Sequence, residues 1–357
     1  METTDNKERV YYLDVMRTIA CFLVILLHTS AYFLLENFGS ADFWIGDCIN
    51  GLTRVAVPLF VMITGALMLN EDYQYSFAKM WRHIKKMIIF FVFWSVLYCF
   101  VFHILSPIAR HESVSVKEAV TALITGHYHL WYVYLVIGIY LIVPILRLWV
   151  KKENLIYIKL FLSISFVLCF VFYRAIVVIG YFFEDFTALH VVYESIDLQF
   201  VGGYTSYLIL GWLLSEYDVR KKGLIYILGI VGAAVSIVGT GVLSIALNDV
   251  VQLFENTSFN VLASSIAAFV LIKDKFFGRN YGSSLGQRIV KFVSSHSLGI
   301  YAIHAGFVSV LHLVLMKVFP NSSALLHICT GFVLSSGISL LLVYLLSRIK
   351  VFRRVLG

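Results

Sequence analysis

Long apolar runs alternate with short polar breaks along the whole chain, and this alternation is its dominant pattern. An apolar run of about 20 residues is long enough to cross a bilayer as a helix. Read with a window of that length, the pattern predicts ten spans, near 12–35, 43–69, 87–108, 129–150, 155–180, 198–216, 224–246, 257–273, 292–318 and 324–347. The first span, YYLDVMRTIACFLVILLHTS, carries three ionisable residues. Arg17 and His28 are eleven residues apart, almost three helical turns, so both point the same way, and Asp14 falls on that face one turn below Arg17. The rise from Arg17 to His28 is roughly 16 Å, about half the hydrocarbon thickness of a bilayer. Ionisable groups are costly in lipid, so this stripe faces a protein interior or a water-filled cavity.

Composition supports the same class. Sixty per cent of residues (60%) are hydrophobic, only 14% are charged, and mean hydropathy is +0.86. A soluble domain carries about 25% charged residues. There is no linker rich in Pro, Gly or Ser, no tandem repeat, and only 4 prolines. No cleavable signal peptide is evident, because the first run is long enough to span and no small-residue cleavage site follows it. The expectation is an all-α integral membrane protein, a single domain over residues 1–357, multi-pass in the inner (plasma) membrane.

The charged residues orient the spans. Lys7, Arg9 and Arg17 lie at the N-terminal end, and Lys79, Arg82, Lys85 and Lys86 in the second loop. Arg147, Lys151 and Lys152, then Arg220, Lys221 and Lys222, then Lys273, Lys275, Arg279, Arg288 and Lys291 fill later even-numbered junctions, and Arg348, Lys350, Arg353 and Arg354 close the chain. That places 22 of the 28 lysines and arginines on one side. The opposite loops are acidic, with Glu36, Asp42, Asp47, Glu184, Asp185, Glu194, Asp197, Asp249 and Glu255. The positive-inside rule then puts both termini in the cytoplasm, with a bundle of about ten transmembrane helices between them. The net charge of +7 is a topological signature, and no nucleic-acid partner is expected.

Other polar residues fall inside the spans. Arg54 lies near mid-membrane in NGLTRVAVPLFVMITGALML. An unpaired arginine there costs at least ~3 kcal/mol, so it needs an anion or a wet cavity. His304 sits deep in the ninth span, with Tyr301 three residues and Ser297 one heptad before it on the same face. His127 and His129 open the fourth span beside Trp131 and Tyr132. Two readings of these histidines stand: a substrate-binding mouth, or structural residues of an aromatic belt. In KMWRHIKKM, a helix would cluster Arg82, Lys85 and Lys86 on one face. Such a cluster suits phosphate groups, or it is simply a positive-inside loop facing anionic membrane lipids. The 5 cysteines show no metal or redox spacing, and no metal is expected.

Four blocks together resemble a family. Tyr12-Leu13-Asp14 followed by Arg17 and His28, RVAVPLFVMITG (Arg54 to Gly65), HLWYVYLVIGIYLIVPIL (His129 to Leu146) and HSLGIYAIHAGFV (His296 to Val308) are similar, in order, to blocks of the acyltransferase-3 integral membrane proteins. The likeness covers nearly the whole chain and is greatest to small single-domain O-acetyltransferases of that family. It implies transfer of an acyl group, commonly acetyl, from cytoplasmic acetyl-CoA or another acyl-CoA to a hydroxyl of an extracytoplasmic or lipid-linked glycan. His28 is then the general base, Arg54 counters charge on the thioester oxygen, and Asp14 orients Arg17. Arg17, Arg82, Lys85 and Lys86 hold the CoA phosphates, while His129, Trp131, Tyr301 and His304 receive the acceptor. Lys85 stands where the family typically has arginine; lysine keeps the charge and loses the bidentate fork. Direct transfer is favoured over a covalent acyl-histidine relay, which stays open. The alternative to an enzyme is a transporter or flippase of a small polar or acyl-modified molecule, because intramembrane ionisable residues also mark transport paths.

Overall fold

The apolar runs fold as helices. The structure, a computed structural model, describes residues 10–35, 37–183, 191, 193, 199–251 and 253–356. Lys7, Arg9, Glu36, Glu184, Asp185, Glu194 and Asp197, used above for orientation, lie outside the described residues. The helices whose bounds the described residues give are α1 (Tyr11–Leu34), α2 (Ala41–Met68), α3 (Phe77–Ala109), α4 (Val116–Thr125), α5 (Trp131–Trp149), α6 (Lys152–Gly180), α7 (Gln199–Glu216), α8 (Lys222–Leu247), α9 (Phe259–Phe276), α10 (Leu285–Val318), α11 (Ala324–Leu346) and the single turn α12 (Arg353–Leu356).

Eight of these helices are long and apolar enough to cross a membrane: α1, α2, α3, α5, α6, α8, α10 and α11. The chain is a multi-pass membrane protein. Of the ten predicted spans, the sixth and eighth are the 18-residue helices α7 and α9. They fall short for a physical reason. α7 is diluted by Gln199, Thr205, Ser206, Ser215 and Glu216, and α9 ends in Lys273, Asp274 and Lys275. The spanning helices turn apolar side chains outward, as lipid-facing surfaces require: Leu148 is 74% and Ile156 73% exposed.

Helix ends follow local chemistry. The Ser40 hydroxyl accepts from the Phe43 N–H at 3.1 Å, and the Ser76 hydroxyl from the Lys79 N–H at 3.2 Å. The Ser76 cap starts α3 ten residues before the predicted span, so Arg82, Lys85 and Lys86 are helical. α2 breaks at Arg54 and Val55. Pro58 has no N–H to give the Arg54 carbonyl four residues back, which is where a proline bends a helix.

By internal contacts the chain forms two compact units, residues 1–67 with 156–295 and residues 68–155 with 296–357. In the first unit, α1 packs on α2 and α9, and α8 lies along α9. There α2 crosses α7 at glycines. A Cβ on Gly65 would sit 1.8 Å from the Leu208 carbonyl oxygen, and one on Gly211 would sit 2.0 Å from that of Met62. Backbones approach this closely only where side chains vanish. In the second unit, α3 packs against α4, α5 and α12. The Trp94 indole donates to the Val355 carbonyl at 2.8 Å and ties α12 down.

Candidate active site

The first unit gathers the stripe read in α1. Asp14 is buried (4% exposed), and its carboxylate accepts from the Ser294 and Tyr281 hydroxyls and from Arg17 Nη1 at 3.4 Å. The same Arg17 nitrogen lies 3.4 Å from Ser294 Oγ. Three donors on one carboxylate fix Asp14 beside Arg17. Ser294 and Tyr281 were not anticipated; only their fold proximity, not their spacing, brings them to Asp14.

His28 lies in the last turn of the regular part of α1, half-buried. The residues flanking it are held by α2. Asn50, fully buried, donates through Nδ2 to the Leu27 carbonyl at 3.2 Å and to Ser30 Oγ at 3.3 Å. Its Oδ1 accepts from Arg54 Nε at 2.8 Å and Nη2 at 2.6 Å. The Arg54 guanidinium also stacks on the Phe254 ring, 3.9 Å from its centroid. Arg54 is thus fixed on two sides, with the bend at Pro58 immediately after it.

Asp47 was read as an acid of an outer loop. The structure corrects this: it lies inside α2, fully buried, and neither carboxylate oxygen has a hydrogen-bond partner among the described residues. It is within electrostatic reach of Arg54, as is Glu255. Asp47, Asn50 and Arg54 recur at helical spacing on one face, a signal the sequence held for a polar seam in α2.

In the second unit a histidine–aromatic cluster forms at the start of α5. His129 is buried (1% exposed), and its ring centroid is 5.4 Å from that of His304 and 5.1 Å from that of Tyr301. The Tyr301 hydroxyl donates to the His129 carbonyl, and His304 Nδ1 lies 2.6 Å from the Tyr301 carbonyl oxygen. Tyr98 joins from α3, stacked on His127 at 4.3 Å. Its hydroxyl donates to the Ala302 carbonyl at 2.6 Å and accepts from the Gly306 N–H at 3.1 Å. Burial, together with the nearby His304 and His103 rings, pushes His127 down to about 4, so it is neutral at physiological pH. The structure therefore brings His129, Tyr301 and His304 together, whereas Trp131 stands outside, 41% exposed, edge-on to Tyr132. Among the described residues no group of His, Cys, Asp and Glu is arranged to hold a metal ion.

Also in the second unit, Arg82, Lys85 and Lys86 are exposed on α3 and make no hydrogen bond or ion pair among the described residues. Arg147, by contrast, is a structural clamp. Its Nη1 donates to the carbonyls of Met68 at 2.5 Å and Asn70 at 2.8 Å, and its Nη2 to that of Tyr73 at 2.9 Å.

Residues 10–345 match the acyltransferase domain of the acyltransferase 3 family. The chain belongs to that family. Neither a curated protein nor a solved structure matches it in the same comparison. As a member of the acyltransferase 3 family the chain is a membrane acyltransferase, and it therefore acts on an acyl donor and an acceptor. The blocks quoted from the sequence lie within the matched residues.

Proposed function

We propose that this acyltransferase is an O-acetyltransferase that moves an acetyl group from cytoplasmic acetyl-CoA to a hydroxyl of an extracytoplasmic or lipid-linked glycan. In this reading the shorter α7 and α9, whose side chains are mostly buried or half-buried, cross the plasma membrane together with the eight longer spans, and both termini are cytoplasmic. The observation that carries the chemistry is Arg54. It is an arginine inside a spanning helix, held by a neutral amide and an aromatic ring, with Nη1 making no hydrogen bond among the described residues. A cation so fixed is suited to an oxygen that gains charge during reaction.

The acceptor hydroxyl attacks the thioester carbonyl carbon, and its proton passes to His28. Arg54 faces the carbonyl oxygen as it becomes an oxyanion. The C–S bond then breaks, the acetyl C–O bond is complete, and the proton on His28 passes to the CoA thiolate. A neutral imidazole can accept that proton at neutral pH. In the first unit Asp14 holds Arg17, and in the second Arg82, Lys85 and Lys86 are exposed; each offers cations suited to a CoA phosphate. His129, Tyr301, His304 and Trp131 supply aromatic faces and hydrogen-bonding groups suited to a sugar.

Purified protein given isotopically labelled acetyl-CoA tests the reaction, and mass spectrometry of surface glycans from cells with and without the protein identifies the product. Label appearing in a glycan ester supports the reading. Movement of a solute across vesicles with no ester formed would instead make the chain a transporter.

A further inference from the structure

We infer that Asn50 is a positioning residue that acts through Arg54, holding the guanidinium in place through a neutral amide. This rests on the proposed role of Arg54. The geometry is asymmetric. Asn50 spends both N–H donors on α1, at the Leu27 carbonyl and Ser30 Oγ, one residue before and two residues after His28. It spends its carbonyl on two nitrogens of Arg54. One fully buried amide therefore fastens the backbone around His28 to the side chain of Arg54.

The amide is the residue type this job needs. A carboxylate at position 50 would accept from Arg54 equally well, but it would cancel the positive charge and set an acceptor against the Leu27 carbonyl. An aliphatic residue would leave the guanidinium to turn on its stem, losing preorganisation. Asp47, on the same face, makes no hydrogen bond to Arg54, so Asn50 alone sets the fork from α2.

The test is a double-mutant cycle on purified full-length protein, following CoA thiol release from acetyl-CoA with membrane extract from cells lacking the protein as acceptor. Rates are normalised to the monodisperse fraction. Arg54→Ala should lower kcat about 10²–10³-fold, the usual effect of removing one oxyanion donor. Asn50→Ala should lower kcat at least tenfold with the acetyl-CoA KM nearly unchanged. Asn50→Ala added to Arg54→Ala should cost nothing further, because residues that act as a unit are not additive. Asn50→Asp, near-identical in shape, should also lose at least tenfold in kcat. The inference is overturned if the two losses multiply, or if either Asn50 variant keeps full kcat while Arg54→Ala is crippled. Full activity in Arg54→Ala would overturn the proposed role of the arginine itself.

Discussion

The Nδ1 atoms of His127 and His129 lie 3.1 Å apart, so one must carry a proton and the other must not. The pair cannot survive with both rings protonated. His127 is already held low, at about 4, by burial and by His304 and His103. Its folded value lies below its unfolded one, so between about pH 6.5 and 4 the unfolded chain binds more protons. Stability from this site is therefore present above about pH 6.5 and lost as pH falls towards 4. Thermal unfolding in detergent should show the wild-type midpoint dropping through that window, with a shallower drop in His127→Gln. Parallel curves would exclude His127 as the group responsible.

His28→Ala should abolish transfer while leaving insertion intact, because alanine is well tolerated in a helix. A general base contributes about 10²–10⁴-fold, so the expected residual rate is below one part in about a hundred. Retention of a tenth or more of the activity would remove His28 from that role. His304→Ala separates the two histidines. Its Nδ1 already lies against the Tyr301 carbonyl, so its loss should raise the acceptor KM more than it lowers kcat.

Arg82, Lys85 and Lys86 are exposed and unengaged among the described residues, unlike Arg17, which is tied to Asp14 and Ser294. Each charge-assisted phosphate contact is worth roughly 1.5–3 kcal/mol. Arg82→Ala with Lys85→Ala should therefore raise the acetyl-CoA Kd at least about tenfold, measured by calorimetry in detergent. Added salt should weaken wild-type binding more than mutant binding. Unchanged affinity in the double variant would leave the cluster with only a topological role.

Eight of the spans and the pairing of Asp14 with Arg17 were legible because run length and helical period constrain them directly. Other parts were not. Arg147 reads as a loop cation by the positive-inside rule, yet it clamps three carbonyls near the end of α2. Lys273 reads the same way, yet it is buried at 8% exposure and donates to the Leu214 carbonyl at 2.8 Å and to that of Ser215 at 3.2 Å, near the end of α7. A charge count cannot separate a cation that faces lipid headgroups from one that satisfies the orphan carbonyls of a helix end. Asn50 escaped notice because a neutral amide carries no charge signal, and its partners Leu27 and Ser30 lie 23 and 20 residues away. The cluster around His129 depends on tertiary contacts with Tyr98 and His304 that no local period encodes.

The crossing of α2 and α7 gives the last prediction. Gly65 closes the block that begins at Arg54, and its Cα lies under the backbone of Leu208. An added methyl would meet the Leu208 carbonyl oxygen at 1.8 Å and its carbonyl carbon at 2.6 Å, which only a backbone shift can relieve. The reciprocal contact at Gly211 with Met62 means that both helices would have to separate. Overpacking of this kind typically costs about 1–3 kcal/mol. Gly65→Ala should therefore lower the unfolding midpoint. It should also reduce kcat, because the segment that follows Arg54 would move with the displaced helix. Gly138 has open space where a Cβ would go, so Gly138→Ala is the matched control and should leave kcat unchanged without lowering the unfolding midpoint. Equal behaviour of the two variants, read by thermal unfolding and by acyl transfer on the same preparations, would show that the α2–α7 contact does not set the position of Arg54.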